Sequence, residues 1–75
     1  MTFDELKQKA LSLTLEPGVY IMRDENDKVI YVGKAKKLKN RVSQYFQDTV
    51  SHSPKTRLMV SKIHHFDVIV AASEF

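Results

Sequence analysis

The sequence predicts a small mixed domain of the α/β type, in its α+β form, and three observations predict it. A capping sequence followed by helical periodicity opens the chain. Two β-rich segments, GVY at Gly18–Tyr20 and YVG at Tyr31–Gly33, then mirror each other across a polar turn. Two further helical segments lead into a last β-branched run.

The elements follow in order. Thr2-Phe3-Asp4-Glu5 has Thr at the N-cap and Glu three residues later, which is a capping box. Phe3, Leu6 and Ala10 recur at helical spacing and predict a helix near residues 3–12. Pro17 stops it, because proline lacks a backbone donor and restricts Glu16 before it. Residues 18–22 and 29–32 are apolar, β-branched and aromatic, with Asp24-Glu25-Asn26-Asp27 between them. This reads as strand, turn, strand. Ala35, Leu38, Val42 and Phe46 share one helical face and predict a helix over 35–46. Ser53-Pro54 resembles an N-cap with proline at the first helical position, opening a helix over 54–64 that buries Leu58, Met59 and Ile63. Residues 68–72 form a short apolar strand. Met22 and Met59 read as core fillers.

Length and composition restrict the function. The 75 residues suit one domain, and a chain this short buries only about two-thirds of its unfolded surface. It has no cysteine, which removes disulfides and thiolate metal sites and fits a reducing cytoplasm. No apolar run is long enough for a membrane span, and no leader pattern opens the chain. The net charge of +3 is unevenly placed. Residues 1–27 carry an acidic excess. Residues 28–46 hold Lys28, Lys34, Lys36, Lys37, Lys39 and Arg41 with no acidic side chain, and residues 47–75 balance. Such a block suits either a polyanion footprint or a solvated helix face.

With an even four-residue turn centred between Glu25 and Asn26, pairing outward sets Arg23 opposite Lys28 and Tyr20 opposite Tyr31. Their phenols would then share one face of the hairpin. Gly33 permits a close backbone approach or a sharp bend into the basic helix. At about 100° per residue, Lys34, Arg41 and Tyr45 fall along the edge of that helix's buried face. A lysine beside a phenol favours the phenolate, and an arginine fork suits a phosphate. Phosphodiester hydrolysis needs an activated water and neutralised phosphate charge, so this set suits a nuclease. It contains no carboxylate for Mg²⁺.

PGVY at Pro17–Tyr20, YVGKAKKLKNRV at Tyr31–Val42 and the pair Tyr45-Phe46 together resemble the GIY-YIG nuclease family, in its UvrC-type branch. The resemblance implies a three-stranded antiparallel sheet flanked by helices and a DNA endonuclease dependent on Mg²⁺ or Mn²⁺. In that branch it implies the 3′ incision of nucleotide excision repair, with DNA and a UvrB-like repair subunit as partners. It places Tyr20 and Tyr31 as motif tyrosines, one of them the general base, and Gly33 as the motif glycine. Lys34 would tune that tyrosine and the phosphate, Arg41 would hold the scissile phosphate, and Tyr45 would hydrogen-bond within the site. Gly33, Lys36, Lys37 and Lys39 would face DNA. The family's metal glutamate is expected several residues beyond Phe75. Glu74 falls too early and reads as a first-turn helix residue. Residues 1–75 are therefore expected to be one GIY-YIG-like domain, truncated at its C-terminal end and nearly inactive alone.

Other readings compete. The basic helix and tyrosines could belong to a DNA-binding module without catalysis, or the domain could serve protein interaction through an apolar patch. Adjacent His64 and His65 read as helix C-terminal residues rather than metal ligands, since no third ligand is suitably spaced. His52 falls in a loop and carries no signal.

Overall fold

The computed structural model describes residues 1–47 and 52–71. The expectations for Ala72, Ser73 and Glu74 lie outside these residues. The order is α1 (Phe3–Leu11), β1 (Gly18–Arg23), β2 (Val29–Ala35), α2 (Leu38–Gln44), α3 (Pro54–Ser61) and β3 (His65–Val70). The sheet runs β2-β1-β3 with both pairings antiparallel, so β1 is the central strand.

Helix α1 starts where its capping box predicts. Thr2 N donates to Glu5 Oε1 at 2.9 Å and Glu5 N donates to Thr2 Oγ1 at 3.2 Å, which satisfies two otherwise orphaned donors. Lys9 in its last turn lies 4.5 Å above the Phe66 ring and donates to the Phe66 carbonyl, tying α1 to β3.

The hairpin departs from the expected register. Asp24 O accepts from Asp27 N, Asp24 N donates to Lys28 O, and Asp27 takes φ 63°. That is a tight turn closed by a left-handed residue, a role that Asp tolerates. Asp24 Oδ1 also accepts from the backbone of Asn26 and Lys28, both at 2.9 Å. Arg23 thus pairs with Val29 rather than Lys28. A bulge then skips Ile30, so Met22 faces Tyr31 and Tyr20 faces Gly33. Tyr20 is not opposite Tyr31. The turn displaces the register by one residue and the bulge by another, and a shift of two restores the face. Both tyrosines remain on one side of the sheet.

The second helix is shorter than expected. Strand β2 continues through Ala35, so Lys34 and Ala35 are strand residues and the helical wheel that aligned Lys34 with Arg41 does not apply. Lys37 caps α2 without a side-chain hydrogen bond. Leu38 N and Lys39 N donate instead to Glu16 O and Thr14 O, at 3.1 and 2.9 Å. The 12–17 loop takes the place of the cap. Helix α3 begins as predicted, with Ser53 Oγ accepting from Thr56 N at 3.2 Å and Pro54 in the first turn, but it ends at Ser61. His64 is therefore not helical, and β3 starts at His65 rather than at residue 68.

The core lies on the sheet face that carries Tyr20, Met22 and Phe66. Leu6, Ala10, Ala35, Leu38, Val42, Tyr45, Phe46, Val60 and Ile63 close over it. Phe46 stacks on Phe66 with centroids 5.8 Å apart, an arrangement that adds about 1 kcal/mol beyond area burial. The expected apolar stripe of Ala35, Leu38, Val42 and Phe46 is buried throughout. Met22 is fully buried and Met59 half-buried, but Leu58 faces solvent and Val60 fills the place expected of it. No helix among the described residues is long and apolar enough to cross a membrane.

Candidate active site

Gly33 and Tyr20 form the floor of the site. A Cβ on Gly33 would stand 2.2 Å from Tyr20 Cζ and 2.3 Å from its hydroxyl oxygen. Only glycine lets the Tyr20 ring lie across β2. Of the two roles considered for this residue, close approach is the one it fills; its φ is not positive. Beneath α2, the ring becomes almost fully buried and its hydroxyl hydrogen-bonds the Tyr45 hydroxyl at 2.9 Å. Pairing the two phenols satisfies both inside the fold, where an unpaired hydroxyl costs about 1–3 kcal/mol.

Around this pair the rings of Tyr31 and Tyr45 lie 6.1 and 5.8 Å from that of Tyr20. Tyr31 differs from the other two in exposure: 42% of it meets solvent, against 1% for Tyr20 and 9% for Tyr45. Burial, then the hydrogen bond to Tyr20, pushes the Tyr45 phenol well above the usual tyrosine range, while Arg41 pulls weakly the other way. Tyr45 therefore stays protonated. Arg41 projects from α2 beside the same group. A hydrogen bond with Tyr20, followed by the charge of the neighbouring phenols, holds its guanidinium above its ordinary value, so it remains a fixed cation.

Of the sequence-derived set, Tyr20, Tyr31, Tyr45, Arg41 and Gly33 come together. Lys34 does not join them through a helix edge. It follows Gly33 in the edge strand β2, pairs with Val19, and sits on the opposite side of that strand from Tyr31. Lys36 and Lys37 are exposed in the β2–α2 link, and Lys39 is half-buried in α2. His64 and His65 stand away from this group: His65 Nε2 bonds Asp27 Oδ1 at 2.8 Å and the two Nδ1 atoms lie 3.0 Å apart.

One member of the site was not legible. His52 Nε2–H donates to the Tyr45 carbonyl at 3.4 Å, and its ring lies 6.1 Å from that of Tyr45. With Arg41, Gln44, Tyr45 and Thr56 it lines an open pocket of about 210 Å³. A histidine seven residues beyond Tyr45, sharing no periodicity with it, leaves no sequence signal of that contact.

The profile of the UvrC-like GIY-YIG domain matches residues 16–75, four-fifths of the chain. The chain belongs to that family. It is 58% identical over 69 residues to the UvrABC system protein C of Caldicellulosiruptor saccharolyticus, covering 92% of this chain and 12% of that protein. The Methanococcoides burtonii counterpart is 62% identical over 58 residues, covering 77% and 10%. The chain thus spans about an eighth or less of these relatives. The fold matches the GIY-YIG N-terminal endonuclease domain of UvrC from Thermotoga maritima bound to its catalytic divalent cation, magnesium. That match has TM-score 0.82 and 31% identity, over 99% of this chain and 78% of that one. A tyrosine-to-phenylalanine point mutant of the same domain, bound to its catalytic divalent cation, matches equally well at TM-score 0.82 and 30% identity. As the GIY-YIG resemblance implied, the sheet is three-stranded and antiparallel with helices beside it.

The described side chains do not by themselves fit a hard divalent cation, which takes oxygen ligands and favours carboxylates. Three phenols and a guanidinium supply no carboxylate. Among the described residues no group of three or more His, Cys, Asp and Glu is placed to hold a metal ion.

Proposed function

We propose that this domain is the part of a UvrC-like protein that cuts a DNA strand on the 3′ side of a lesion. The carrying observation is the convergence of three phenols and one fixed cation over Gly33: the Tyr20–Tyr45 hydroxyl pair at 2.9 Å, Tyr31 beside it, and Arg41. Tyr31 is the general base, because it alone of the three phenols is open to a water molecule. Arg41 holds two oxygens of the scissile phosphate and neutralises the charge that grows on them. Tyr45, kept protonated, shares its hydrogen bond with the Tyr20 hydroxyl and holds that phenol in place. Lys34, Lys36, Lys37 and Lys39 carry the neighbouring DNA backbone.

The cation, Mg²⁺ or Mn²⁺, supplies further charge neutralisation when bound. Its carboxylate is proposed to come from a glutamate in the protein chain beyond Phe75. The full protein would act on DNA together with a UvrB-like subunit, in the cytoplasm. Residues 1–75 are proposed to be a single domain unit that is nearly inactive alone.

The test is nicking of lesion-bearing duplex DNA with Mg²⁺ by the full-length protein. Tyr31→Phe should lower kcat by about 100-fold or more, the scale of a lost general base, with DNA affinity kept. Unchanged nicking by that variant sinks the assignment. Robust cleavage by residues 1–75 alone, abolished by Tyr31→Phe, would overturn the need for a further carboxylate. A DNA-binding module without catalysis would show no cleavage to lose.

A further inference from the structure

We infer that the pocket between α2 and α3 is a second phosphate subsite, which seats the backbone phosphate next to the one being cut; this rests on the nuclease reading above. Its lining, Arg41, Gln44, Tyr45, His52 and Thr56, presents a guanidinium, a carboxamide, an imidazole and a hydroxyl, and none of these five residues carries an acid group. The Arg41 cation, the Gln44 carboxamide and the Thr56 hydroxyl on the cavity wall suit an anion.

The Thr56 hydroxyl is poised to donate. Its oxygen already accepts from Ser53 Oγ at 3.0 Å, while Ser53 Oγ accepts from Thr56 N at 3.2 Å. The Thr56 hydrogen is thereby left for a ligand acceptor, since a hydroxyl has one donor to give. The residue also sits in the first turn of α3, where the helix dipole favours negative charge.

Position decides which phosphate. The Tyr45 ring lies 5.8 Å from that of Tyr20 and 6.1 Å from that of His52. The pocket, which Tyr45 itself lines, therefore adjoins the phenol cluster, where the next phosphate of a bound strand would lie. Arg41 borders both places and bridges the two phosphates. The pocket thus fixes the register of the strand, so that the scissile phosphate falls beside Tyr31.

The test pairs protein variants with substrate variants, using the full-length protein and a lesion duplex with one methylphosphonate placed on either side of the incised phosphate. In the wild type, the neutral linkage on one side should raise KM about tenfold, the scale of a lost hydrogen bond to a charged group. Thr56→Val, which keeps the side-chain shape, and Gln44→Leu should each raise KM for the all-phosphate substrate by several-fold to tenfold on the same grounds. Each should then lose most of its penalty on the substrate with that methylphosphonate. Thr56→Val keeps the test valid if Gln44→Leu disturbs the end of α2. Penalties that multiply independently, or no change in KM for Thr56→Val, overturn the subsite. Absence of incision of the all-phosphate duplex by the wild type with its UvrB-like subunit present would instead overturn the nuclease reading.

Discussion

Gly33 shows how one absent side chain can determine a site. Tyr20 occupies the space a Cβ would take, so Gly33→Ala should displace the ring and break its bond to Tyr45. Overpacking on this scale costs about 1–3 kcal/mol, and the loss should appear as a lower urea midpoint with a changed near-ultraviolet tyrosine signal. A variant with the wild-type midpoint and spectrum would show that the ring has room. The sequence left two uses open for Gly33, a close backbone approach or a sharp bend into the basic helix, and the structure fills the first. The sequence could not say that the approaching group was Tyr20, because that depends on a register set elsewhere. His52 was illegible for a related reason: its partner is a backbone carbonyl, and carbonyls leave no trace in residue identity.

At the scale of elements, local signals were the most readable. The Thr2–Glu5 box and the Ser53-Pro54 start both appear as capped helix ends, because a cap involves residues three apart. Boundaries that depend on distant chain were not readable. Lys34 and Ala35 stay in β2 because β1 offers them partners in Val19 and Gly18, and α2 waits for the 12–17 loop to take its first donors. The turn is similar, for its geometry rests on one carboxylate. Asp24→Ala would remove the acceptor of two backbone hydrogen bonds and should destabilise the hairpin by about 1–3 kcal/mol. Faster amide exchange confined to residues 24–30 would bear this out, whereas unchanged protection there would contradict it.

For the molecule as a whole, the Tyr45 phenol sets an alkaline limit. Tyr45 has its folded-state pKa raised by burial, while in the unfolded chain a tyrosine ionises near pH 10. The folded state therefore holds a proton that the unfolded chain releases, so this contribution is intact below about pH 10 and is lost as pH rises above it. Urea midpoints should fall between about pH 9.5 and 11.5 around that tyrosine value, and Tyr45→Phe should flatten this decline while lowering the midpoint at neutral pH. A decline equally steep in the variant would assign the effect to other groups. The sequence conveyed the whole-molecule plan well, since strands and helices alternate with clear punctuation. It could not rank the three tyrosines by exposure, and that ranking distinguishes a reachable phenol from two structural ones.

The hairpin between those tyrosines obeys a parity rule. Its odd turn and its single-residue bulge at Ile30 each reverse which way β2 faces, and together they cancel. Removing either one alone would turn Tyr31 out of the cleft and bring Val32 into its place, with every amino acid unchanged. Length variation within β2 is therefore tolerable only in steps of two. A residue deleted at the exposed tip of the turn spares the site only where the shorter loop still holds Arg23 opposite Val29 and keeps the bulge.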